Sequence, residues 1–135
     1  MKTRIDKVDT IFAKCIRERD DNTCQWCGRQ DGTMNCSHIF GRRHAATRWQ
    51  PDNAVCKCFT CHRKWHENPV EGFRWLETYL GQGMIDILRE KAYSVRKIKP
   101  AEKAEIYEHY KAEYLRLMEE RMNGAQGKLT LGDPM

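Results

Sequence analysis

Cys24-Gln25-Trp26-Cys27 and, after a gap of thirty residues, Cys58-Phe59-Thr60-Cys61-His62-Arg63-Lys64-Trp65-His66 decide how this chain folds. Two residues between paired cysteines let both sulfurs of a turn point inward, so two such pairs can give one zinc ion four thiolates in a tetrahedron. Gly28 follows Cys27 where a knuckle turn needs a permissive backbone. The gap is long enough for a β-hairpin, and Cys61 falls in the first turn of a helix.

A knuckle, a hairpin and a helix pinned by one metal make a treble-clef-like arrangement of the α+β class. The alternative is two unrelated pairs of buried or redox thiols. A shifted ligand set is also open, because Cys56 has the same strand parity as Cys58. Cys36 and Cys56 read as strand core residues facing each other across the hairpin. Cys15 reads as a small core residue of a helix.

Composition narrows the setting. The chain has 135 residues, 40% hydrophobic and 32% charged, with a mean hydropathy of −0.82, so its core is small and a structural metal contributes folding free energy directly. No apolar run approaches the ~20 residues of a membrane helix, and no export-type stretch follows the first residues. The expectation is a cytoplasmic protein with no membrane partner. Seven cysteines, an odd number, fit metal ligation better than a disulfide framework. All seven lie in residues 1–66, which carry 13 Lys and Arg against seven Asp and Glu; the remainder carries 11 against 12. The basic half is also the cysteine half, which points to a polyanion as partner.

Outward from the cysteines, Val8, Ile11, Phe12, Cys15 and Ile16 repeat at amphipathic-helix spacing until Asp20-Asp21-Asn22. Cys36–Gly41 and Asn53–Lys57 are the expected strands, and Thr60–Asn68 the expected helix before Pro69. Val70, Phe73, Leu76 and Leu80 start a helical extension, continued by Met84, Ile87 and Leu88. A long helix from Pro100 carries Tyr107, Tyr110, Tyr114, Leu117, Met118 and Met122 on one stripe. The expected organisation is a zinc-stabilised core with an N-terminal helix over 1–69, a helical extension over 70–124 and a disordered tail over 125–135. Trp49, Trp65 and Trp75 are expected to pack, and His44 and His109 to lie on the surface.

Three other histidines sit inside the framework. His62 and His66, four apart on the helix, share one face and can ligate a single cation. His38 lies on the first strand, which crosses above that face if the hairpin packs on the helix. A neutral imidazole is a natural base for activating water, and an adjacent divalent ion can clamp a phosphate oxygen and stabilise a departing alkoxide. These are the parts of a phosphodiesterase.

Cys36-Ser37-His38, then Pro51-Asp52-Asn53-Ala54-Val55-Cys56-Lys57-Cys58-Phe59-Thr60-Cys61-His62, resembles the HNH (His-Asn-His) endonucleases of the ββα-metal fold, closest to small phage-type members. The similarity covers roughly residues 8–69. It implies that His38 is the general base, that Asn53 holds the hairpin and keeps the base in line, and that His62 ligates the catalytic ion. His66 matches an extra helical histidine ligand. Many relatives carry Asp or His before the base as a further ligand; that position here is Ser37, a poor donor. Imidazole donors suit zinc, nickel or manganese better than magnesium. The resemblance implies DNA as substrate, with 5′-phosphate and 3′-hydroxyl products. Arg42, Arg43 and Arg48 in the hairpin loop are the candidate phosphate contacts.

A metal-dependent DNA endonuclease or nickase is thus the leading expectation. A lone site cuts one strand per encounter, so double-strand cleavage requires a homodimer or two successive nicks. The rival is a non-catalytic zinc-stabilised DNA-binding module, or an accessory subunit whose tyrosine-bearing helix docks on a phage replication, packaging or recombination machine. If the protein is phage-encoded, its compartment is the host cytoplasm.

Overall fold

The computed structural model describes residues 4–134. Among these residues, five α-helices and one two-stranded antiparallel sheet make an α+β fold. Helix α1 spans Lys7–Arg19. It starts at Asp6, whose carboxylate accepts from the Val8 and Asp9 N–H groups while Asp9 reaches back to the Asp6 N–H at 2.9 Å. This reciprocal cap satisfies donors that the first turn leaves without helical partners.

Strands β1 (Met34–His38) and β2 (Ala54–Cys58) pair so that Cys36 lies opposite Cys56 and His38 opposite Ala54. The expected facing of the two cysteines is therefore found, while β1 sits two residues earlier than its expected start. β1 also stops at His38, short of the expected Gly41, and the cause of that early end is Asn53, which ends a short 3₁₀ turn, Pro51–Asn53. Its carbonyl takes the Ile39 N–H at 2.8 Å and its side chain takes the Phe40 N–H at 2.9 Å. A side chain thus replaces the ladder where the first strand would otherwise continue.

Helix α2 (Phe59–Glu67) begins directly from β2, with Cys58 as its N-cap. Pro69 opens α3 (Pro69–Leu80), and Gly72 brings α3 against Trp65 of α2; a β-carbon there would meet the indole at 2.7 Å. Gly81, at φ +88°, turns the chain into α4 (Gln82–Ala92). The last helix, α5 (Pro100–Met122), spans about 35 Å at 1.5 Å per residue.

The main core lies between α1 and α5. Val8, Phe12, Cys15 and Ile16 pack with Ile106, Tyr110 and Leu117, and Trp49 and Ala54 close it from the hairpin side. The Tyr110 hydroxyl donates to the Trp49 carbonyl, and the Cys15 thiol donates to the Tyr110 carbonyl at 3.2 Å. The expected α5 stripe is narrower than its spacing implied. Tyr107 and Tyr114 pack partly, whereas Met118 and Met122 face solvent.

Residues 125–134 form no helix or strand, yet they are not the loose tail that their lack of periodicity suggested. Leu129 and Leu131 pack on the α1–α5 core, the Leu129 N–H donates to the Arg19 carbonyl at 2.8 Å, and the Thr130 carbonyl accepts from Arg116. Two half-buried leucines two apart suffice to anchor a segment that is otherwise mostly exposed, a signal too short for helical periodicity to register. His44 is half-buried rather than a surface residue, with Nδ1 3.1 Å from the Ala92 carbonyl. No helix among the described residues is long and apolar enough to cross a membrane.

Candidate functional site

The sulfurs of Cys24, Cys27, Cys58 and Cys61 all lie within 4.8 Å of one another. A zinc tetrahedron with Zn–S near 2.3 Å places its sulfurs about 3.8 Å apart. Cys27 and Cys58 sulfurs are 3.8 Å apart, and the Cys61 N–H donates to the Cys58 sulfur at 3.4 Å. Burial pushes the Cys24 thiol up, but backbone N–H groups of Cys27, Cys58 and Trp26 outweigh it and bring it down to about 7. These four residues fit a structural zinc in number, donor type and spacing. Cys36 and Cys56 stand outside the group, and burial raises each thiol to about 12, as expected for packed, protonated sulfurs.

The cysteine group is tied to the rest of the molecule on two sides. The Gln25 N–H donates to the Cys56 carbonyl at 2.9 Å, and Trp75 Nε1 of α3 donates to the Gln25 carbonyl at 3.3 Å. Trp26 stacks on Trp75 at 5.2 Å, and Trp75 stacks on Tyr79 at 5.1 Å. Lys57, 1% exposed, places its ammonium 3.8 Å from the Trp65 ring centre and 4.6 Å from that of Trp75. Trp65 and Trp75 therefore pack, as expected, around a cation as well as around each other.

His38 ends β1 at the wall of a cleft of about 530 Å³ between α1, the hairpin and α2. Its Nε2 lies 3.0 Å from the Arg48 carbonyl. A carbonyl can only accept, so in the neutral ring Nε2 carries the proton and Nδ1 keeps its lone pair. Burial pushes the His38 pKa down to about 4, against the opposing pull of the Arg48 carbonyl and of Asp9. The ring is neutral at physiological pH. Asn53, fully buried, supports this arrangement from behind: Nδ2 donates to the Phe40 carbonyl at 2.9 Å and to the Thr47 carbonyl at 3.0 Å. It thereby fixes both ends of the loop that presents the Arg48 carbonyl.

His62 and His66 line the same cleft. Their Nε2 atoms are 3.3 Å apart. Two nitrogens at about 2.1 Å from a shared cation stand roughly 3.0–3.4 Å apart, so the pair fits a divalent ion. Burial, reinforced by His66 and Lys57, pushes the His62 pKa down, which keeps its ring available as a ligand. Ser37 does not join them. Side chains alternate along a strand, and Ser37, next to His38, is buried away from the cleft lining with its hydroxyl unpartnered. The cleft brings together two imidazole donors, His62 and His66, without Ser37, the weak third candidate.

The three loop arginines separate. Arg48 turns inward: Nε donates to Asp9 at 3.0 Å, so it is a structural partner rather than a phosphate contact. Arg43 is exposed beside His44 and does not line the cleft. Arg42 does line it. Two charged cleft residues escaped sequence reading, Asp9 and Arg17 of α1. Asp9 accepts from Arg48 and from Trp49 Nε1 at 2.9 Å; although burial pushes its carboxyl up, these bonds and the Asp6 N–H hold it below its usual value. The Asp6-to-Asp9 capping spacing was the available signal. For Arg17 the signal was its place on one α1 face with Thr10 and Ala13, a face with no large apolar residue.

No family model, curated protein or solved structure matches this chain.

Proposed function

We propose that this protein is a metal-dependent DNA endonuclease of the HNH type, built on a zinc-pinned, treble-clef-like ββα-metal core. The observation that carries the reading is one cleft shared by a histidine with a fixed tautomer and a pair of imidazoles at cation-binding distance. His38 Nδ1 takes a proton from the water that attacks phosphorus. The new bond forms from the water oxygen to phosphorus as the P–O3′ bond breaks; the departing O3′ takes a proton from solvent water, leaving a 5′-phosphate and a 3′-hydroxyl, and His38 later returns its proton to solvent. The Arg48 carbonyl keeps the Nε2 proton in place throughout, and Asn53 holds the loop that carries that carbonyl. His62 and His66 would hold a divalent ion, which supplies positive charge to the phosphate and the leaving oxygen. Their imidazole donors favour manganese, nickel or zinc over magnesium.

A second reading, a zinc-stabilised DNA-binding module without turnover, draws on the buried position of Ser37, which leaves only two side-chain donors at the cation position. A supercoiled-plasmid assay separates the two. Zinc-loaded protein, freed of loosely held metal, is given magnesium, manganese, nickel or zinc, with His38→Ala alongside. The endonuclease reading expects metal-dependent nicking that disappears in His38→Ala while DNA affinity is retained. Cutting by His38→Ala at the wild-type rate refutes the mechanism, and DNA binding without cutting under any metal selects the binding module.

A further inference from the structure

We propose that Arg17 and Arg42 form a two-point phosphate clamp across the histidine cleft, gripping the DNA backbone on either side of the His38 and His62–His66 group. The clamp takes its substrate class, a phosphodiester polyanion, from the endonuclease reading. Its evidence is separate from the histidines.

Arg42 enters the cleft from the hairpin loop with Nη1 buried and without a hydrogen bond. Its nearest anion, Asp9 Oδ2, is 3.9 Å away. Both Asp9 oxygens already accept shorter bonds, from Arg48, Trp49 and the Asp6 N–H. A buried guanidinium donor without an acceptor is unfavourable unless a ligand supplies one. Arg17 reaches the same cleft from the last turn of α1, half-buried; its carbonyl accepts from the Asn22 N–H at 2.8 Å, but its guanidinium has no hydrogen bond or ion pair among the described residues. Its position near the helix C-terminus favours a cation, yet its side chain lines the cleft rather than closing over the helix end. Thr10 and Ala13 beneath it are small, which leaves room along α1 for a chain of phosphates. Arg48 offsets the charge of Asp9, so the cleft keeps the two guanidiniums as its net charge. Planar, forked donors of this kind suit phosphate oxygens. Arg42 leaves its loose contact with Asp9 when a phosphate arrives.

The test is the salt dependence of binding to a duplex oligonucleotide, followed by fluorescence anisotropy with zinc-loaded full chain and no added divalent ion. Arg17→Gln, Arg42→Gln and Arg43→Gln are compared with wild type after checking zinc content and circular dichroism. Loss of one phosphate contact lowers the slope of log K against log salt by about 0.9 and affinity by about eightfold at 0.1 M salt. That change is expected for Arg17→Gln and for Arg42→Gln, and not for Arg43→Gln. Unchanged slopes, a change at only one of the two, an equal change at Arg43, or no DNA binding by wild type each overturns the clamp. The plasmid assay reads the other proposal independently. Slopes that fall without any cutting retain the clamp and reject the nuclease, and cutting with unaffected slopes does the reverse.

Discussion

Replacing Asn53 with alanine removes three hydrogen bonds at once: two from Nδ2 to the Phe40 and Thr47 carbonyls and one from the Phe40 N–H to Oδ1. Each contributes about 1 kcal/mol net, and a buried group left unpaired costs more. Asn53 is fully buried and the Thr47 bond is inside the protein, while Phe40 is partly open to water, so the loss should be about 3–4 kcal/mol. With a urea dependence near 2 kcal/mol per molar, the unfolding midpoint falls by roughly 1.5–2 M, measured in saturating zinc. Asn53→Asp separates hydrogen bonding from volume. The carboxylate keeps the Phe40 N–H bond but sets negative charge against two carbonyls, so its folded-state pKa lies above the unfolded value. Its penalty relative to wild type is then greatest at high pH and shrinks as pH falls through that raised pKa. A midpoint shift below about 0.5 M for Asn53→Ala refutes the reasoning. So does an Asn53→Asp penalty that is flat with pH.

Four further outcomes follow from the geometry. Burial holds His38 near 4 against an ordinary 6.5, so between these values the folded state binds fewer protons than the unfolded one. Its contribution is complete above pH 6.5 and is lost as pH falls toward 4; the melting temperature of His38→Ala should therefore drop less than that of wild type between pH 7 and pH 5. Cys24→Ser or Cys61→Ser should abolish zinc retention, measured by elemental analysis, and broaden the melting transition around the hairpin. Gly72→Ala forces a β-carbon to within 2.7 Å of Trp65, and the clash should exceed the helix-propensity gain by about 1–2 kcal/mol in denaturant titration. Arg48→Met leaves the buried Asp9 carboxylate without its main partner, and thermal unfolding should report a loss of about 3 kcal/mol.

Elements that advertise themselves by spacing were readable from the chain. The apolar repeat of α1, the stop at Pro69, the start at Pro100 and the two cysteine pairs all correspond to features of the fold. The end of β1 was not readable, because Asn53 substitutes a side chain for a strand partner and periodicity is blind to that exchange. Among the site residues, the histidine pair followed from helical geometry, since i and i+4 share a face whatever the surroundings. The fate of a loop arginine depends on where distant carboxylates lie. Asp9 is 39 residues from Arg48, and only folding reveals that it claims Arg48, leaves Arg42 loosely held and does not reach Arg43. Ser37 fails as a donor for a simpler reason, the alternation of a strand whose register puts His38 on the cleft side.

The pairing of α1 with α5 sets an order of events during synthesis. Cys15 and the Tyr110 carbonyl it contacts are 95 residues apart, so at about 5–20 residues per second the apolar face of α1 waits roughly 5–20 s for its partner. The four-cysteine group is complete once Cys61 has emerged, well before α5 is made. The four-cysteine end of the molecule is thus free to take shape first, on a nascent chain whose main core is still open. His38 packs against Phe12 of α1, at 5.9 Å between ring centres, and Phe12 in turn against Tyr110 of α5. The cleft wall is therefore finished only once α5 has left the ribosome and packed on α1.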